Sequence, residues 1–217
     1  MQGLEHFWAE ADAVGRIVAL LLFTMSVAAW LLIVWKSLLL RRAGADIRRA
    51  VPAFWDSASA TDGRSRVQAL DREGVLLPLV DAAVAPATGG TLEGAAALEA
   101  RLTRRLRDAL HRGLAHLQFG QVILASIGST APFVGLFGTV WAIHHALTGI
   151  GDAGTLTIER VAGPVGEALV MTAAGIAVAV PAVLAYNALG KRVAACEAEL
   201  EGFAHDLRRM VLDAAHD

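Results

Sequence analysis

The sequence predicts an all-α integral membrane protein, with three transmembrane helices and long cytoplasmic helical extensions. Three observations carry this expectation. First, 55% of the 217 residues are hydrophobic and the mean hydropathy is +0.51, too apolar for an ordinary soluble domain. Second, three runs are long enough to cross a hydrocarbon core of about 30 Å, which takes about 20 helical residues. Third, a formal net charge of only -2 hides a strong segregation of charge along the chain.

The first run is Ile17 to Trp35, interrupted only by Thr24 and Ser26. The second lies in the charge-free interval between Arg112 and Asp152, and the third runs from Val161 to Gly190. Orientation follows from the basic residues. Segment 36–112 carries Lys36, Arg41, Arg42, Arg48, Arg49 and eight further arginines, and the tail adds Lys191, Arg192, Arg208 and Arg209. The other side holds only Arg16 and Arg160, beside Glu5, Glu10, Asp12, Asp152 and Glu159. The positive-inside rule then puts the N-terminus outside, and both the central segment and the C-terminus in the cytoplasm. The acidic start and the spanning length of the first run argue against a cleaved signal peptide, and Trp35-Lys36 reads as an interfacial anchor at its inner end.

The expected order is an external N-terminal segment 1–16, transmembrane helix 17–36 and a cytoplasmic helical region 37–116. Transmembrane helix 117–148, external loop 149–162, transmembrane helix 163–190 and a cytoplasmic C-terminal helix 191–217 complete it. Within the cytoplasmic region the first helix keeps its rhythm until Pro52, 56–66 is polar and turn-rich, and Val67 to Ala85 reads as a short amphipathic helix that Pro78 kinks or splits. After the break at Pro86–Gly90, Thr91 is a candidate cap. Leu98, Leu102, Leu106, Leu110 and Leu114 recur every four residues, an apolar stripe on an amphipathic helix. With only Gly113 and Gly120 to interrupt it, one helix from about Leu92 to about Leu147 would rise on the order of 80 Å. The tail repeats the pattern with Val193, Leu200, Phe203, Leu207, Met210 and Val211.

Glu167 is the only Asp, Glu, Lys or Arg between Arg160 and Lys191. A carboxylate within a membrane span is costly unless it meets a partner or water, so it reads as functional by default. Thr139 and Thr172 sit near the middle of the second and third runs. At about 100° per residue, Thr139 shares a face with Gly128, Pro132, Gly135, Ala142 and Ala146. Thr172 shares one with Ala168, Gly175, Ala179, Ala182 and Tyr186. Both stripes are small, which fits either close helix packing with a back-bonded hydroxyl or a lumen wall offering hydroxyls to water and protons. Glu167 falls about 140° from Thr172, off that face. Adjacent His144 and His145 have poor metal-site spacing and read as a solvated pair at the external end. The lone Cys196 permits no internal disulfide and reads as a small filler. No metal site or cofactor motif appears, no nucleophile–base pair supports an enzyme, and no basic domain with interleaved aromatics supports nucleic-acid binding.

The run Gly128-Ser129-Thr130-Ala131-Pro132-Phe133-Val134-Gly135-Leu136-Phe137-Gly138-Thr139-Val140-Trp141 resembles the second-helix signature of the ExbB/TolQ/MotA proton-channel superfamily. Gly166-Glu167-Ala168-Leu169-Val170-Met171-Thr172-Ala173-Ala174-Gly175, followed by Val180 to Asn187, resembles its third-helix signature. The close match covers about 125–190. Ser129-Thr130-Ala131-Pro132 looks more like the ExbB branch than the TolQ branch, and the fourth membrane helix of MotA disfavours that branch. The resemblance implies a pentamer in the bacterial inner membrane around the single membrane helices of two ExbD subunits, with TonB attached. Such a complex couples inward proton flow to energised uptake through outer-membrane receptors. The family's polar membrane residues carry over to Thr139, Thr172 and Glu167, and its protonated aspartate belongs to the partner subunit. Ala142 departs from the glycine usual after the motif Trp, and His144-His145 replace less titratable residues. A TolQ-type role in outer-membrane integrity, or a structural membrane scaffold without ion flow, are the competing readings.

Overall fold

The computed structural model describes residues 12–86, 97–153 and 158–215, with side chains described except at 149–153, 158–162, 164 and 167. The described residues form six α-helices and no strand: α1 Ala13–Trp55, α2 Ala60–Leu70, α3 Leu77–Val84, α4 Leu98–Gln118, α5 Gln121–Ala153 and α6 Ile158–Asp213. Three helical stretches are long and apolar enough to cross a membrane. The all-α membrane class read from composition therefore holds.

Two compact units divide the chain: Met1–Val34 with Gly120–Asn187, and Trp35–Phe119 with Ala188–Asp217. The first is built around Val18, Leu22, Ala131, Met171 and Ala179. Many of its large apolar side chains, Phe23, Leu31, Phe133, Leu169 and Leu184 among them, are exposed. Hydroxyls within these runs turn back on their own helices: Thr24 donates to the Leu20 carbonyl at 2.8 Å and Thr130 to that of Ser126 at 2.7 Å. Back-bonding removes the need for water around these groups, as a hydrocarbon environment requires.

The second unit packs the stripes read from the sequence. Leu102, Leu106, Leu114 and Leu117 of α4, and Val193, Leu200, Phe203 and Leu207 of α6, are buried. Phe54 meets Trp55 and Phe203 edge-to-face, with centroids 5.1 and 5.5 Å apart. Asp71 organises the connection between α2 and α3. Its carboxylate accepts the backbone N–H groups of Val75, Leu76 and Leu77 at 3.0, 2.8 and 2.7 Å. These donors have no partner within the helix they open.

Several expectations change. Segment 56–66 is not all turn, because Ser59 caps α2 by accepting from the Asp62 N–H, and helix begins at Ala60. Segment 67–85 is split, as one expectation for Pro78 had it, but the break falls at 71–76 and Pro78 sits in the first turn of α3, where its missing N–H costs nothing. Helix α1 passes Pro52 and ends at Trp55. The continuous helix expected from about Leu92 to Leu147 is broken at Phe119-Gly120. Gly120 adopts φ +81°, a left-handed conformation that halts α4 and restarts the chain as α5. Helix α5 reaches Ala153 and α6 begins at Ile158, so both ends of segment 149–162 are helical. Thr91, the candidate cap, lies outside the described residues, as do 1–11.

Candidate functional site: the α5–α6 seam

Helices α5 and α6 meet along the two small-residue stripes. A Cβ on Gly135 would lie 2.5 Å from the Met171 carbonyl oxygen and 3.1 Å from the Gly175 Cα. A Cβ on Gly175 would lie 2.6 Å from the Ala131 carbonyl oxygen, and one on Gly128 would lie 2.5 Å from Cγ2 of Val183. Such distances admit hydrogen and nothing larger. Ala168 and Ala179 are buried in the same unit, and Pro132 is half-buried.

The glycines bring the two threonines together. Thr139 Oγ1 lies 2.6 Å from Thr172 Oγ1, 2.7 Å from the Ala168 carbonyl and 3.2 Å from the Gly135 carbonyl. A hydroxyl has one proton to give, and both carbonyls can only accept. The single Thr139 proton serves either the Ala168 carbonyl, with the Thr139 oxygen accepting from Thr172, or Thr172 itself. The result is a hydrogen-bonded chain of Thr172, Thr139 and the Ala168 carbonyl, with Thr139 buried and Thr172 half-buried. A small-residue face around each threonine was legible in the sequence; that the two faces are opposed emerges from the packing. Glu167 precedes Ala168 on α6, and its side chain lies outside the described residues.

Two contacting groups were not read as partners from the sequence. Asp12 caps α1, its Oδ1 accepting from the Gly15 N–H at 2.7 Å, and its Oδ2 accepts from Trp141 Nε1 at 2.5 Å. Burial raises the Asp12 carboxyl, but the Trp141 and Gly15 donors, then His145 and Arg16, outweigh it and hold it below the usual carboxylate range. Lys36, expected as an interfacial anchor, is fully buried, and its Nζ donates to the carbonyls of Leu117 and Phe119 at 2.5 Å each. Trp35 meets Phe119 edge-to-face at 5.9 Å. The pair therefore closes the C-terminal end of α4. His144 and His145 are exposed, the His144 ring 6.1 Å from that of Trp141. Cys196 is buried, and burial together with Glu199 raises its thiol against the opposing pull of Arg48, which makes it a poor nucleophile.

Residues 82–202 match the family model of the MotA/TolQ/ExbB proton channel family. The chain is 40% identical over 223 aligned residues to the biopolymer transport protein ExbB of Xanthomonas campestris pv. campestris, covering 94% of this chain and 87% of that protein. It is 39% identical to the ExbB of Neisseria meningitidis serogroup A, covering 97% of each. This chain belongs to the MotA/TolQ/ExbB proton channel family. Within that family the Tol-Pal system protein TolQ of Haemophilus influenzae is more distant, at 30% identity over 89% of this chain and 87% of that protein. The α5–α6 seam, with its threonine pair, lies within the matched span.

Proposed function

We propose that this chain is an ExbB-type subunit of a bacterial inner-membrane motor, coupling the proton motive force to TonB-dependent uptake across the outer membrane. In this reading five copies surround ExbD, TonB joins the complex, the N-terminus faces the periplasm and the C-terminus the cytoplasm. The chain is then not an enzyme, and takes no cofactor. Thr139, Thr172 and Glu167 serve the proton path, while Gly128, Pro132, Gly135, Ala168, Gly175 and Ala179 let α5 and α6 approach.

The observation that carries the reading is the pair of hydroxyls in hydrogen-bond contact on two apolar helices, in a chain so similar to ExbB proteins along its length. A hydroxyl relay can pass a proton by donating one and accepting another, and a single threonine back-bonded to its own helix cannot. The greater identity to ExbB than to TolQ relatives favours uptake over outer-membrane integrity.

The test is energised uptake, normalised to assembled complex, in a deletion strain. Thr172→Val keeps the shape and removes the hydroxyl partner of Thr139, and should abolish uptake with assembly intact. Glu167→Gln keeps size and hydrogen bonding but cannot titrate, and should also assemble and fail. Full uptake in both variants would hand the seam to packing alone. Rescue of a TolQ deletion, and not of an ExbB deletion, would favour the integrity role.

A further inference from the structure

The Asp12–Trp141 contact is not required by anything in the hydroxyl relay, yet it joins the start of α1 to the motif tryptophan two residues beyond Thr139. Asp12 does two jobs with one carboxylate. Oδ1 satisfies the Gly15 N–H in the first turn of α1, and Oδ2 takes the Trp141 indole proton. Three contacts fix α1 against α5 in one antiparallel register. Asp12 meets Trp141, Val18 lies 2.9 Å from where a Cβ of Gly138 would be, and Leu32 lies 3.1 Å from that of Gly120. Gly138, between Phe137 and Thr139, also faces Met171 of α6 at 3.4 Å. The outer turns of α5 are therefore held on one side by α1 and on the other by α6.

We propose that Asp12 is a positioning residue of the proton path: by capping α1 and accepting the Trp141 indole proton, it fixes the turn of α5 that presents Thr139 to Thr172. This rests on the channel reading above. Charge assistance makes the carboxylate acceptor stronger than a neutral one, and the helix N-terminus favours the same negative charge. The groups facing it are Arg16 on its own helix and His145 on α5, with the His144 ring tilted beside that of Trp141; the side chains of α6 at 158–162 lie outside the described residues.

The sign of the pH dependence follows. A carboxyl held below its usual range contributes stability that is complete above the unfolded value of about 4 and is lost only as pH falls through the lower folded value. From pH 5 to 8 the Asp12 carboxylate stays charged.

The experiment is a double-mutant cycle on the full-length protein purified with its partner complex, using Asp12→Ala, Trp141→Phe and the double variant. Each single variant should lower the Tm by about 3–6 °C, and the double should fall no further than the weaker single. Asp12→Asn keeps one acceptor oxygen and turns the other into an N–H donor, so it can serve the cap or the indole but not both, and should fall between wild type and Asp12→Ala in stability and uptake. If Asp12→Ala does not assemble, the cycle is run with Asp12→Asn. Additive Tm losses would overturn the proposal. So would wild-type uptake in an assembled Asp12→Ala or Trp141→Phe complex. Thr172→Val is measured alongside. If it retains uptake, the channel reading fails while the Tm cycle still decides the Asp12–Trp141 contact.

Discussion

Lys36 illustrates how much a single side chain can do when its partners are backbone atoms. The Leu117 and Phe119 carbonyls belong to the end of α4, where the last carbonyls of a helix lack internal donors and the helix dipole is negative. One ammonium answers both needs while burying its stem. Lys36→Met keeps the stem and leaves two carbonyls unpaired, so it should cost roughly 2–5 kcal/mol of stability. The check is denaturant or thermal unfolding of the purified protein; an unchanged midpoint would remove Lys36 from the stabilising contacts. Thr139 presents the complementary case. Its hydroxyl is buried but has partners on both helices, so removing its hydroxyl partner at Thr172 should alter function far more than folding.

At the scale of the helix, glycine placement separates packing from mere tolerance. Gly135 and Gly175 sit where any Cβ would strike a backbone atom of the opposite helix, and a helix backbone cannot yield as a side chain can. Gly135→Ala or Gly175→Ala should therefore push α5 and α6 apart, cost about 1–3 kcal/mol and lengthen the threonine contact. Gly202 of α6 has nothing within 4 Å of its would-be Cβ. Gly202→Ala should be neutral or stabilising by up to about 1 kcal/mol, from helix propensity alone. Unfolding of the three variants side by side checks the contrast, and equal effects would show that the seam has slack. Gly120 is glycine for another reason: φ +81° is open to it and strained for alanine.

For the whole molecule the decisive property is the apolar surface left outside the two cores. Phe133 is 70% exposed, Phe23 68% and Leu31 66%, on helices that the chain cannot cover by itself. Lipid and further subunits are the surroundings that suit such faces. The purified protein should accordingly run in mild detergent as a homo-oligomer, five copies on the reading above, by native mass spectrometry. A stable monomer retaining function would contradict it. A cysteine placed at exposed Arg41, in a background with Cys196 replaced, should label only from the cytoplasmic side if the basic segments lie there.

The sequence alone determined the helical class, the three spans and the two small-residue stripes, because composition and period are local properties that lipid enforces strictly. It also carried the resemblance to the family, which lies in the contiguous runs Gly128 to Trp141 and Gly166 to Asn187. The break at Gly120 was ambiguous, since a glycine in an apolar run is compatible with continued helix until the chain needs a left-handed turn. Which residues meet was decided by tertiary structure. Thr139 and Thr172 are 33 positions apart, Lys36 and Leu117 are 81, and Asp12 and Trp141 are 129. No local pattern encodes such pairings. They arise because packing of α1 with α5 and α6, and of α1 with the end of α4, fixes the register, and only then does a hydroxyl, an ammonium or a carboxylate find the group that completes it.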